Sequence, residues 1–381
     1  MKIRIPHITI SLLLIAATIT LLYFLDSCQN NKDNEDPPFV NRVVLIYMDE
    51  DDKASSKIDE QIESIIHSWQ ADEDDRVIIY ANASDNIPML YELSQKDGEN
   101  IKRLLFKYDE NSTTIRAEFF LHILNDVKTL YSPTSYGLIM YSHTLGWIPK
   151  QGLTNIQPAA ATDNDRIELR ELAATIPDNT FDFIIFGAPY MADIEVAYEL
   201  KDKTDYILAS SAEIVSPDIA LVYSKFISYL FEPTANLKGF ASKVFDHISS
   251  SEEYSNSVTL SIISTSKLTN LSNWLESNIM PRTYDINEIQ HFDRFSDHLF
   301  FDFEDYYGKL LLSDEQRQTL AELTSLCVIY KKATPSFMIT DNGFEIKRYS
   351  GLTSYIPSND HPTLNNEYKK LMWGKTVSLD K

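Results

Sequence analysis

Five short, largely apolar runs constrain this chain more than any other feature. They are Val43–Met48 (VVLIYM), Arg76–Ala81 (RVIIYA), Tyr136–Ser142 (YGLIMYS), Phe181–Phe186 (FDFIIF) and Tyr206–Ser210 (YILAS). A short continuous run such as Val43–Met48 suits a strand buried on both faces, and the others read as further strands. Between them lie segments of helical period. Ile58, Ile62, Ile65, Ile66 and Trp69 form one apolar stripe, and Phe119, Phe120, Ile123, Leu124 and Val127 form another within Ile115–Leu130. Ile101–Tyr108 reads as a weaker strand, Glu168–Ile176 as a short amphipathic helix, and the chain from Phe186 to about Leu200 as ending in a helix. Strands alternating with helices predict an α/β fold with a mostly parallel sheet covered on both faces.

After about Phe231 the rhythm changes. Ala235–Ser250, Leu268–Met280 and Asp314–Leu326 have helical spacing, Val258–Ser264 and Phe337–Thr340 are extended, and Gly351–Pro357 opens a coil ending near Trp373. No linker rich in Gly, Ser or Pro separates the halves. The expected organisation is a core over 41–230 and a docked C-terminal α+β cap over 231–381.

The N-terminus reads as an address. Lys2 and Arg4 precede an apolar run from Ile8 to Leu25, the layout of a secretory signal or of a membrane anchor. Leu25-Asp26-Ser27-Cys28 decides between them, because it resembles a bacterial lipobox, in which the cysteine is lipidated after cleavage. The polar, acidic stretch Gln29–Pro38 resembles the surface-export signals that follow the lipid cysteine in Bacteroidetes lipoproteins. Residues 1–27 are therefore expected to be a signal peptide, and 28–40 a lipidated cysteine and tether to the outer membrane, with the folded part in the periplasm or at the surface.

Charge removes other classes of function. The chain has 34 Lys+Arg against 56 Asp+Glu, a formal net charge of −22, which argues against nucleic acid as a partner. The two cysteines, Cys28 and Cys327, cannot supply a disulfide framework or a structural zinc site, and no histidine pair has His-x-x-x-His spacing, so no metal site is expected. Asp49-Glu50-Asp51-Asp52 and Asp163-Asn164-Asp165 offer oxygen ligands for Ca2+, but solvated acidic loops account for them as well. No other cofactor is expected.

In open parallel sheets, ligands bind beyond the carboxyl ends of the strands. Two strands end suggestively, one in Ser142-His143-Thr144-Leu145-Gly146-Trp147 and the other in Phe186-Gly187-Ala188-Pro189-Tyr190-Met191. From the residues alone, His143 can be a base or simply a packed histidine. With Glu195-Val196-Ala197-Tyr198-Glu199-Leu200, Asp205–Glu213, Tyr47–Asp52 and Gly351–Pro357, these segments resemble the clostripain family of cysteine peptidases (C11), and the similarity runs from about Asn41 to Trp373. The resemblance implies a caspase-like three-layer α/β/α sandwich. It also implies that His143 corresponds to the family's dyad histidine and Pro189 to its nucleophilic cysteine.

The departures from the family pattern bear on activity. Proline has neither a nucleophile nor an N–H, so Pro189 removes both a dyad member and an oxyanion donor. Loss of one oxyanion donor costs about 3–4 kcal/mol, and loss of a dyad member roughly 10⁶ in rate. Gly187 replaces the aspartate that receives basic side chains, and Thr144 replaces the glycine whose N–H is the other oxyanion donor. The resemblance therefore implies a pseudopeptidase whose groove, lined by His143, Thr144, Gly187, Pro189, Tyr190 and Trp147, binds a peptide or protein ligand. Self-cleavage after a basic residue is not expected. Two alternatives stay open: a hydrolase with a relocated nucleophile, and a structural envelope lipoprotein partnering an active paralogue.

Overall fold

The computed structural model describes residues 37–50, 55–70, 72–83, 87–109, 116–142, 145–150, 167–215, 219–252 and 256–378. The signal peptide, Cys28, the tether up to residue 36, Asp51, Asp52, His143, Thr144 and Asp163–Asp165 lie outside the described residues. From Phe39 onward the chain forms one compact unit.

A nine-stranded sheet organises it, in the order β10-β8-β7-β6-β5-β1-β2-β3-β4. The strands are β1 (Phe39–Glu50), β2 (Asp75–Ala83), β3 (Met89–Lys96), β4 (Glu99–Lys107), β5 (Ser132–Ser142), β6 (Phe181–Phe186), β7 (Thr204–Ala209), β8 (Thr259–Ser264) and β10 (Val328–Ala333). The central five, from β7 to β2, are parallel, and each edge carries two antiparallel strands. The parallel strands are those that read as continuous apolar runs, because helices cover both of their faces.

Alternate side chains enter two cores. On one face Leu138, Met140, Ile184 and Phe186 pack under α2 (Arg116–Leu130), α3 (Leu169–Thr175) and α4 (Ile194–Glu199). On the other, Ile139, Tyr141, Phe183 and Ile185 pack under α1 (Ser55–Ser68), α5 (Ile219–Ser224) and α6 (Leu237–Ser249). The result is a layered α/β sandwich. Gly137 permits it locally, since a Cβ there would lie 2.2 Å from the Phe183 ring on the neighbouring strand.

The expected cap after residue 231 is in part sheet, because β8 and β10 come from it. Its remainder comprises α7 (Leu268–Asn278), α8 (Phe303–Lys309), α9 (Asp314–Cys327), α10 (Pro362–Tyr368) and α11 (Met372–Thr376), with the short pairs β9 (Phe301–Asp302) with β13 (Thr353–Ser354) and β11 (Ser336–Phe337) with β12 (Phe344–Glu345). Its aromatic residues Phe300, Phe303, Tyr307, Tyr355 and Trp373 share the first core with strands β1, β5 and β6.

Candidate functional site

The site is built where β5 and β6 end side by side. The ladder continues one step past β6, with Gly187 N–H donating to Met140 C=O at 2.9 Å. Residue 187 therefore sits directly beside the end of β5. A Cβ on Gly187 would lie 2.2 Å from Tyr141 Cδ1 and 2.5 Å from Cε1, so the Tyr141 ring occupies the space into which any side chain at 187 would grow. Tyr141 packs in turn on Tyr223, centroids 5.9 Å apart, and the Tyr223 hydroxyl donates to Phe186 C=O at 3.2 Å.

Pro189 follows, half-buried in the turn after β6. Tyr190 comes next with φ +59°, in the left-handed region that a non-glycine residue enters only when its surroundings hold it there. They do. Its N–H donates to Ala212 C=O at 3.1 Å, and its ring lies flat on Phe300 at 4.4 Å and 8°. Its hydroxyl donates to Glu213 Oε1 at 2.9 Å, and Glu213 is gripped by Arg294 at 2.5 Å. Burial, followed by the nearby charge of Glu213, pushes the Tyr190 hydroxyl well above its ordinary range, so it stays a neutral donor.

Gly146, after β5, has φ +56°, and a Cβ there would come within 2.8 Å of the Phe300 ring and 3.0 Å of Tyr190 C=O. Only glycine lets the two strand-end loops close on Phe300 this tightly.

Two expectations for the groove are thereby corrected. Tyr190 is 1% exposed and Trp147 3%, so neither offers an aromatic surface to a ligand. Trp147 turns into the core against Tyr355 at 5.0 Å and Tyr368 at 5.8 Å, because C-terminal aromatic residues fold back beneath it. The structure brings Gly187, Pro189, Tyr190 and Trp147 to one end of the sheet, but two of the four are packing residues. His143 and Thr144 fall between described segments.

Behind this loop, α4 starts with two buried carboxyl groups. Asp193 caps the helix, accepting from Glu195 N at 2.8 Å and Val196 N at 3.3 Å. Glu195 Oε1 accepts from Ser354 Oγ at 2.9 Å and Tyr355 N at 3.1 Å, tying the C-terminal segment to the helix. Burial raises both, Asp193 further through the Glu195 charge and a hydrogen bond to it.

Asp49, at the end of β1, is also committed. It ion-pairs with Arg116 and accepts from Asn82 at 2.8 Å and from the Tyr47 hydroxyl at 3.2 Å. Such a carboxylate is a poor start for the acidic Ca2+ site considered above. Among other nucleophile candidates, Ser210 is held by Ala212 C=O at 3.0 Å and Thr259 Oγ1 at 2.8 Å. Burial pushes the Cys327 thiol up to about 12, which leaves it unreactive. Sequence reasoning missed Tyr141, Glu213, Arg294 and Phe300. The aromatic density of His291–Phe301 was the available signal for the last.

The fold and the strand-end loops define a caspase-like α/β protein. Residues 46–346 match the clostripain family, and the chain belongs to it. Among solved structures it is similar to an inactive zymogen C11 protease from Parabacteroides distasonis, at 27% identity and TM-score 0.77, covering 90% of this chain and 99% of that one. It is also similar in fold to a secreted C11 cysteine protease from Bacteroides thetaiotaomicron, iotapain, at 23% identity and TM-score 0.75, covering 90% and 100%. The same holds for a B. thetaiotaomicron secreted C11 protease bound to an irreversible peptide inhibitor, at 21% identity and TM-score 0.74, covering 89% and 99%. No curated relative matches the chain. The family's cysteine proteases need no cofactor for their chemistry.

Proposed function

We propose that this chain is a non-catalytic member of the clostripain family, a lipid-anchored envelope protein that binds a peptide or protein partner. The carrying observation is Tyr141 filling the space over Gly187, two residues from Pro189. The family's pattern places an aspartate and a nucleophile at these two positions. Here the first lacks room for any side chain, and the second lacks both thiol and N–H. No relocated nucleophile is supported among Ser210, Ser211, Cys327 and Tyr190, each of which is held or buried. With the space beside residue 187 filled, binding does not select basic side chains, and the partner is read by surface around Pro189.

The test has two arms. Fluorogenic peptides with basic, acidic and apolar P1 residues are expected to stay intact, and metabolic palmitate labelling is expected to depend on Cys28. Turnover of any peptide that is abolished by His143→Ala contradicts the catalytic half of the reading. Unlabelled wild-type chain contradicts the anchor. Co-purification of an active family member would make it that enzyme's partner.

A further inference from the structure

The loop that supplies Phe300 also holds a side-chain cluster unrelated to peptidase chemistry. His291 and His298 stack face to face, with ring centroids 3.5 Å apart and planes 13° from parallel. Each ring spends its Nδ1 on an oxygen of Asp293. His291 Nδ1 meets Asp293 C=O at 3.0 Å, and His298 Nδ1 meets Asp293 Oδ1 at 2.8 Å. A backbone carbonyl can only accept, so His291 carries its proton on Nδ1. The carboxylate sets the same tautomer on His298. Both Nε2 lone pairs are thereby left as the free ligand atoms. This is the arrangement in which metal-binding histidines are held: one nitrogen oriented by an oxygen acceptor, the other presented to the ion.

Asp293 is the organiser rather than a ligand. It is 1% exposed, and its carboxylate also accepts from Phe295 N at 3.1 Å, Leu299 N at 2.9 Å and Phe300 N at 2.9 Å. Both histidines are half-buried, and His298 keeps about a third of its side chain in solvent, so the cluster can be reached.

We propose that His291 and His298, oriented by Asp293, bind one divalent transition-metal ion of the zinc class. Two imidazole nitrogens select such an ion over Ca2+ or Mg2+, which take oxygen ligands. Water completes the coordination, and the rings splay from their stack so that both Nε2 lone pairs point at the ion. Because Asp293 also fixes the Phe300 backbone, the ion would stiffen the loop that covers Tyr190.

Zinc chloride titrated into the full chain in detergent at pH 7.5, followed by calorimetry and by thermal melting, tests this. One saturable equivalent and a raised melting temperature are expected. His298→Asn and His291→Phe are each expected to weaken that equivalent at least tenfold, the order already lost when only an orienting partner of a ligand is removed. His291→Phe keeps an aromatic ring against Phe344, which packs on His291 at 5.1 Å, so it remains informative if His298→Asn misfolds. Copper(II) bound to wild type should show nitrogen hyperfine coupling from two imidazoles. No saturable binding, or the same binding in wild type and both variants, overturns the proposal.

Discussion

The Tyr141 ring occupies the space in which a side chain at Gly187 would begin: a Cβ at 187 would sit 2.2 Å from Tyr141 Cδ1. Gly187→Asp must therefore displace the ring as well as bury a charge. Overpacking typically costs 1–3 kcal/mol, so a loss of about 2–3 kcal/mol is expected in denaturant unfolding. Tyr141→Ala loses ring packing when made alone, but in the double variant it opens room for the aspartate. The double-mutant cycle should show favourable coupling of about 1 kcal/mol or more. Additive effects would mean that the two positions do not compete.

Trp147 separates a packing role from a groove role. It is buried against Tyr355 and Tyr368, so Trp147→Ala is expected to cost about 3–5 kcal/mol of stability. A residue lining an open groove would leave the melting temperature nearly unchanged.

Tyr190→Phe removes the hydroxyl that donates to Glu213 while keeping the ring on Phe300. Hydrogen bonds to charged groups contribute about 1.5–3 kcal/mol when buried. Glu213 and Arg294 are each roughly a quarter exposed, so solvent screening brings the expected loss to about 1–2 kcal/mol. A chemical denaturation curve for the single variant measures it.

Asp193 and Glu195 set a pH dependence. Burial raises both in the folded state, with the Glu195 charge and hydrogen bond adding to the shift on Asp193. The folded chain therefore binds more protons here than the unfolded chain does. This contribution is fully present below the ordinary carboxyl range and is lost as pH rises toward the raised values. Asp193→Asn keeps the helix cap without the titration. It is expected to be more stable than wild type at pH 8, with the advantage shrinking toward pH 5. Unfolding midpoints across that range decide it, and parallel curves for the two proteins would contradict the assignment.

The sheet interior was legible because burial on both faces leaves a continuous apolar run. Phe181–Phe186 is a strand over the very residues its run marks. The edges were harder to read. β3 and β4 form an antiparallel hairpin in which polar residues interrupt both strands, and β3 was missed although Asp97-Gly98, at φ +54° and +81°, is a hairpin signal. β10, half-exposed at the other edge, lacked a run as well. At the site, Gly187 and Pro189 were singled out through the resemblance to a family pattern. What surrounds them was not. Tyr141 over residue 187, Phe300 on Tyr190 and the stacked His291 and His298 depend on contacts that only the folded chain makes, and spacing along the sequence does not encode them.

The most direct test of the central claim is a peptidase assay of the wild-type chain against peptides of every P1 class, with His143→Ala beside it. The account predicts no turnover by either protein. It also predicts that Pro189→Cys alone does not restore cleavage after Arg or Lys, because the space at Gly187 stays filled by Tyr141. Hydrolysis by wild type that disappears in His143→Ala would contradict it and place a working nucleophile in this site.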